Sequence, residues 1–237
     1  MARKKMPKTP TVCAYCGASP APTRDHVVAK CLFIPPVPQD AVIVRACLAC
    51  NNDKSKDDTY LRDMLVVDHQ GSTSPIAQLI FDTKVMRSAQ RNSSDVVRAA
   101  MTRARLIPHI TPGGLYLGQL PSFDLDSRRI DRIFSYIVRG LYYKVVRAPL
   151  PAECAITVWR VNAKEAEETY HTIKAMNGNG LYRIGQGVFE CAFMYATEVP
   201  QISMWLLAFY GRVFFIVNTE PPVGVGGSSE KPAGESA

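Results

Sequence analysis

The sequence lacks any long uninterrupted apolar run. Within its 237 residues, the most apolar stretch, residues 202–217, is broken by Tyr210, Gly211 and Arg212. A membrane-spanning helix needs about 20 consecutive apolar residues, so this stretch is too short and instead favours a β-hairpin. The basic residues 1–10 are not followed by the apolar segment of a secretory signal peptide. We therefore expect a soluble cytoplasmic protein with no membrane partner.

The sequence also lacks a cysteine pattern suited to disulfide bonds. Its seven cysteines are an odd number, and four of them form two Cys-x-x-Cys pairs. These four are Cys13, Cys16, Cys47 and Cys50. Two such pairs predict a tetrahedral zinc site in a reducing compartment. Because four thiolates would fill the coordination sphere, the zinc is expected to be structural.

Basic charge is in excess and unevenly distributed. The net charge is +7, and residues 1–62 hold ten Lys or Arg against five Asp or Glu, a net charge of +5. The remaining 175 residues contribute only +2. The excess lies in the segment that carries the cysteine pairs, and it favours an anionic partner such as nucleic acid.

An Asp-His pair lies between the two cysteine pairs, and an Asn follows the last cysteine. These residues are Asp25, His26 and Asn51. Phosphodiester hydrolysis needs a base to take a proton from water, and a neutral imidazole suits that task near neutral pH. A divalent cation can stabilise the leaving oxygen, and carboxylate and amide oxygens are ligands that Mg²⁺ accepts. The pattern indicates a metal-dependent hydrolase with His26 as base and Asp25 and Asn51 as ligands of Mg²⁺ or Mn²⁺.

These residues together resemble the HNH (ββα-metal) endonuclease family in its four-cysteine zinc-bound form, with a motif similar to phage endonuclease VII-like resolvases. The resemblance covers residues 11–62. It implies a β-hairpin carrying Asp25 and His26, packed on a helix that begins near Asn51, and it implies hydrolysis of DNA. Four basic residues would contact nucleic acid. These are Arg24, Lys30, Lys54 and Lys56.

The sequence departs from the family pattern in two places. Many members carry a further Asn in the strand before the second cysteine pair, where it orients the base, and residues 40–46 contain none. We expect a backbone carbonyl to orient His26 instead. Some members also carry a later ligand one helical turn on, where this chain has Lys54 and Ser55. The cation would therefore have two protein ligands and several waters.

The predicted fold class is α+β. A zinc-stabilised ββα-metal domain, residues 11–68, would follow a basic disordered arm, residues 1–10. A second domain, residues 69–220, would combine a helical region with an antiparallel α+β module, followed by a disordered tail, residues 221–237. No family resemblance suggests a role for the second domain.

Local patterns place the elements of that second domain. Helices are predicted over residues 75–106, with a break at 91–94, over 128–146 and over 162–175, where Asn162 begins a capping box. Strands are predicted over residues 155–161, 188–196, 202–209 and 213–217. Residues 107–121 are expected to form a loop because they are rich in Pro and Gly, and residues 177–180 are expected to form a turn.

Several alternatives stay open at this point. The chain could be a zinc-stabilised nucleic-acid-binding protein without catalysis, and RNA is not excluded as the partner. Asn51 could simply cap a helix, and the basic side chains could be solvated surface charge. Because one site cuts one strand, a double-strand break would need a homodimer or two visits. The second domain could also sense a ligand or partner.

Overall fold

The structure is a computed structural model that describes residues 11–111, 113–176 and 180–222. It contains both helices and antiparallel sheets, so the predicted α+β class is confirmed. The predicted basic arm, the centre of the predicted turn at residues 177–180 and nearly all of the predicted tail lie outside the described residues.

The described chain has strands and helices in the following order. The strands are β1 Thr23–His26, β2 Ile43–Ala46, β3 Arg105–Ile110, β4 Tyr116–Ser122, β5 Ala155–Val161, β6 Gly180–Ile184, β7 Phe189–Tyr195, β8 Ser203–Phe209 and β9 Val213–Glu220. The α-helices are α1 Leu48–Val67, α2 Pro75–Ile80, α3 Met86–Gln90, α4 Asp95–Arg103, α5 Ser127–Val146 and α6 Ala163–Ala175. A π-helical turn, Phe81–Val85, joins α2 to α3.

A hairpin followed by a helix forms the N-terminal part. Strands β1 and β2 pair in antiparallel fashion, with Asp25 opposite Val44 and His26 opposite Ile43. Helix α1 starts directly after Cys47, whose Sγ accepts a hydrogen bond from the Cys50 backbone N–H. The hairpin–helix order agrees with the predicted order, although α1 begins three residues earlier than predicted.

Helix α5 is the central helix of the core. Its apolar stripe predicts one buried face, and that face is buried, with Phe134, Ile137 and Leu141 nearly inaccessible to solvent. The sequence predicts Asp126 or Ser127 as the cap of this helix, and Asp126 fills that position by accepting from the Arg129 backbone N–H. The helix packs against α1 and therefore supports the N-terminal hairpin–helix from behind.

The C-terminal part forms a five-stranded antiparallel sheet in the order β5-β9-β8-β7-β6. The predicted strands and the capping box at Asn162 are confirmed, but β6 was missed because it is short and begins at a glycine. Helix α6 covers one face of the sheet with Ala166 and Ile173. The other face packs into the main core.

The apolar core is continuous across the predicted domain boundary. Val44 and Leu61 from the N-terminal part belong to the same cluster of buried side chains as Phe134 and Phe209. The boundary at residue 68 stays a prediction, but the two segments share one core and each contributes to burying the other.

The expectation of a loop over residues 107–121 is wrong. Strands β3 and β4 pair as a two-stranded ribbon, with Leu106 opposite Pro121 and Pro108 opposite Gln119. Pro and Gly content suggested a loop, but every strand of a two-stranded ribbon is an edge strand, where Pro is tolerated. Gly118 has a φ of +118°, which permits an irregular step in the ribbon.

No helix within the described ranges has both the length and the apolar character to cross a membrane.

Candidate metal centre and active site

The four paired cysteines converge on one point. Their Sγ atoms all lie within 4.8 Å of one another, and Cys16 Sγ is 3.8 Å from Cys47 Sγ. A tetrahedral zinc ion with Zn–S bonds of about 2.3 Å separates its sulfur ligands by about 3.8 Å, so the geometry fits that ion. The cluster formed by Cys13, Cys16, Cys47 and Cys50 can therefore hold zinc.

Protonation of these thiols would make zinc binding depend on pH. The Cys50 backbone N–H lies 3.4 Å from Cys47 Sγ and lowers the pKa of the Cys47 thiol. Burial raises the pKa of the Cys16 and Cys50 thiols. Because zinc binds thiolates, an incoming ion must displace protons from these cysteines.

A backbone hydrogen bond attaches the first cysteine pair to the hairpin: the Ala14 N–H donates to the Arg45 carbonyl at 2.9 Å. Within the hairpin, Thr23 Oγ1 on β1 donates to the Ala46 carbonyl on β2 at 2.6 Å. The second cysteine pair begins at the residue after β2. A zinc ion would therefore lock the first cysteine pair, the hairpin and the start of α1 into one unit.

Tyr15, which lies inside the first cysteine pair, contacts the predicted metal ligand Asp25. The Tyr15 hydroxyl donates to Asp25 Oδ2 at 2.5 Å. Burial, and then the charge of Asp25, raise the pKa of Tyr15 above its ordinary value, so the phenol stays protonated and remains a donor. Sequence reasoning missed Tyr15, because a tyrosine beside a zinc ligand gives no signal of what it contacts.

Lys54 has a different environment from the one expected. Its side chain is only 4% exposed, and Nζ lies 3.3 Å from Asp25 Oδ2. Nζ also donates to the His26 carbonyl at 2.9 Å and to Asp58 Oδ1 at 3.2 Å. A buried ammonium requires such partners, so Lys54 links the hairpin to α1. Its predicted contact with nucleic acid stays a prediction.

Asp58 is a second carboxylate beside the site that sequence reasoning missed. It follows Lys54 by one helical turn, and that spacing of opposite charges could have identified the pair. Burial raises the pKa of Asp58, while the charge of Lys54 acts in the opposite direction. Lys54 thus bridges two carboxylates, one on the strand and one on the helix.

His26 has an unsatisfied ring nitrogen. Its Nδ1 is buried and has no hydrogen-bond partner among the described residues, so the expected backbone carbonyl is not present. Burial, followed by the charge of Lys30, lowers the pKa of His26, and only Asp25 opposes this. The imidazole is therefore neutral near pH 7 and can accept a proton.

Asn51 lies within the first turns of α1. Its backbone N–H donates to the Cys47 carbonyl, and the N-cap of the helix is Cys47 itself, so the capping alternative for Asn51 is wrong. Asn51 precedes Lys54 by three residues and so shares its face of the helix. That is the face turned toward Asp25, although no hydrogen bond joins the Asn51 and Asp25 side chains in the described structure.

The other predicted basic contacts are at the surface. Arg24 on β1 and Lys30 just beyond it are both exposed, and the charges of both act on His26. Lys56 is exposed on α1 and pairs with Asp53 at 3.3 Å. Arg24 and Lys30 are therefore exposed basic residues near His26, whereas Lys54, which also lies near it, is buried.

The comparisons with known proteins give no match. No protein-family model matches the chain, and no curated protein or solved structure is significantly similar to it.

Proposed function

We propose that this protein is a metal-dependent endonuclease of the HNH type that hydrolyses DNA phosphodiester bonds. The supporting observation is that Asp25 and His26 lie on a short strand fastened to the start of α1. Lys54 makes that connection through Asp25 Oδ2 and the His26 carbonyl. Strand and helix thereby bring a carboxylate and an imidazole close to the helix that carries Asn51.

His26 would act as the general base, taking a proton from the water that attacks phosphorus. Its partly exposed imidazole, whose pKa is lowered chiefly by burial, supports this role. Arg24 and Lys30 are exposed beside His26 and would hold the anionic backbone of the nucleic acid. Hydrolysis would leave a 5′-phosphate and a 3′-hydroxyl.

Asp25 and Asn51 would hold one Mg²⁺ or Mn²⁺ ion. Tyr15 and Lys54 both contact Oδ2 of Asp25, so among the described residues Oδ1 is available as a ligand. When bound, the ion would stabilise the negative charge on the leaving 3′ oxygen. Tyr15 and Lys54 would hold the carboxylate in place, and the positive charge of Lys54 would weaken cation binding.

One observation favours a second candidate, a non-catalytic zinc-stabilised nucleic-acid-binding protein. The ammonium of Lys54 already neutralises Asp25, a residue that the nuclease needs as a metal ligand. Such a protein would use the zinc site and the exposed Arg24 and Lys30 in the same way. It would be indifferent to the loss of His26.

The deciding experiment is a cleavage assay. Zinc-loaded protein is incubated with supercoiled plasmid in Mg²⁺, in Mn²⁺ and without added divalent ion, and with branched DNA and RNA in parallel. His26→Ala is compared with His171→Ala, which removes an exposed histidine on α6. We expect metal-dependent nicking that falls by about 10²–10⁴-fold in His26→Ala and is unchanged in His171→Ala.

The other outcomes can be compared when wild type and all variants contain the same amount of zinc. Equal cleavage by both variants would refute His26 as the base. No cleavage by any protein, together with duplex binding that weakens in Arg24→Gln and Lys30→Gln, would support the binding protein. Cleavage of RNA but not of DNA would support the proposed hydrolysis and would show that the substrate is RNA.

A further inference from the structure

The β3–β4 ribbon concentrates exposed apolar side chains on one short pair of strands. Five large side chains on or beside these strands are between 55% and 65% exposed. They are Leu106, Ile110, Leu115, Tyr116 and Leu117. At roughly 100 Å² each, they offer on the order of 500 Å² of apolar surface, which is a large patch for a soluble monomer.

The ribbon has two different faces. Ile107 and Leu120 lie opposite each other and line a cavity of about 560 Å³ with Met64 and His69, near the end of α1. The pairs Leu106–Pro121, Pro108–Gln119 and Ile110–Tyr116 alternate with that pair along the strands. They form the outer face, on which all six of these side chains are exposed.

The outer face carries no formal charge. Residues 106–123 contain no Lys, Arg, Asp or Glu, although the chain as a whole is 21% charged. Such a segment offers no Lys or Arg to phosphate, so it adds little electrostatic attraction for a nucleic acid. Exposed edge strands normally carry charges that oppose association, and these are absent here.

The exposed apolar side chains and the missing formal charge of the outer face indicate what kind of surface would cover it. We propose that the outer face of the ribbon packs against the same face of a second copy of this chain in a two-fold symmetric dimer. A two-fold interface opposes each residue to its own copy or close neighbours, so a charged patch would repel itself and an uncharged one does not. With Pro108, Pro121 and Gln119 also exposed on this face, the patch approaches the roughly 800 Å² per partner of a stable interface.

The contact would be made by side chains, face to face. Pro108 on β3 and Pro121 on β4 have no backbone N–H to donate, so extending the ribbon edge by a further strand is unfavourable at both positions. The ribbons would instead stack through Leu106, Ile110 and Tyr116. This inference does not depend on the proposed nuclease activity.

Sedimentation velocity of the full zinc-loaded chain across micromolar concentrations tests the proposal. Wild type should sediment as a dimer, and Leu106→Glu combined with Ile110→Glu should sediment as a monomer. Gln119→Glu changes a position that is already polar and exposed, so it should not disturb folding. It should weaken dimerisation at least tenfold, because it places two carboxylates in an apolar interface. The matched control is Ile202→Glu, an exposed apolar position outside the ribbon, which should leave the dimer intact.

Two results would overturn the proposal. One is a monomeric wild type at every concentration, which would mean that another partner or none covers the ribbon. The other is dimerisation of Gln119→Glu as tight as that of wild type with an unchanged melting temperature, which would place the interface elsewhere. If the double variant fails to fold, the single Gln119→Glu variant still decides whether the outer face of the ribbon forms the dimer interface.

Discussion

The protein contains two short antiparallel hairpins that solve the same stability problem differently. A two-stranded hairpin alone is marginal in water, so each needs support from outside its own hydrogen bonds. The β1–β2 hairpin carries charged residues and is held by the cysteine cluster, by Lys54 and by α1. The β3–β4 ribbon has a charge-free outer face whose side chains are exposed among the described residues.

This difference shows what each hairpin is built to do. Asp25 and His26 can be held in a half-buried setting only because the cysteines, Tyr15 and Lys54 fix the strand beneath them. The ribbon carries no carboxylate that could pair with an imidazole, and its apolar face needs another surface to cover it. A hairpin held by contacts within its own chain suits a reactive site. A hairpin with an uncovered apolar face suits an interface.

Removal of zinc should give the largest loss of stability. The loss should act through the β1–β2 hairpin and not through the β3–β4 ribbon. We expect a strong chelator, or Cys47→Ser, to lower stability by several kcal/mol, since structural zinc sites contribute folding free energy directly. Thermal unfolding and elemental zinc analysis measure this. Cys154→Ala, outside the cluster, should keep one zinc ion per chain. An unchanged melting temperature without zinc would refute the structural role.

Loss of the Lys54 charge should give the second-largest loss of stability. Lys54→Met leaves Asp25 and Asp58 close together without their shared cation, and breaking a buried pair typically costs about 3–5 kcal/mol. Denaturant unfolding of zinc-loaded protein measures the cost. Lys56→Met on the same helix removes an exposed ammonium, 69% accessible, and should change little. Equal stability of the two variants would show that the buried cluster contributes no net stability.

The same Lys54 variant sharpens the choice between the two candidate functions. Without the ammonium, Asp25 should bind Mg²⁺ or Mn²⁺ more tightly, and titration calorimetry would detect this directly. A gain in affinity would support Asp25 as a metal ligand. No measurable binding in either wild type or Lys54→Met would favour the non-catalytic protein.

A smaller effect is expected from Tyr15→Phe. A hydrogen bond to a charged group contributes about 1.5–3 kcal/mol, and the variant removes the one from Tyr15 to Asp25 Oδ2 without removing the ring. The control is Tyr136→Phe, the edge-on partner ring, whose hydroxyl contacts the more exposed Asp53. Urea unfolding compares the two. A larger loss in the control would mean that Tyr15 stabilises through packing alone.

The smallest loss of stability should come from a substitution in the β3–β4 ribbon. Val44→Ala in β2 removes methyl groups from the core and should cost about 1–2 kcal/mol. Leu106→Ala in β3 removes an exposed side chain and should cost less than about 0.5 kcal/mol at concentrations where the protein is monomeric. A large cost at Leu106 in the monomer would show that the ribbon is supported within the chain.

The sequence by itself determined the elements whose signals are local. The cysteine spacing identified the thiol cluster, the helical stripe and Asp126 identified α5, and Asn162 with Glu165 identified the start of α6. Each of these depends on residues a few positions apart or on a metal geometry that fixes the spacing. The α+β class followed from them.

Only the tertiary structure decided how distant groups meet. Tyr15 reaches Asp25 across the hairpin, and Lys54 is buried against β1 although its neighbours on α1 are solvated. Local sequence gives no sign of these contacts, because burial and pairing of a charge depend on what packs against it. The ribbon was missed for a related reason: Pro and Gly describe the local backbone, whereas strand pairing is decided by the partner strand.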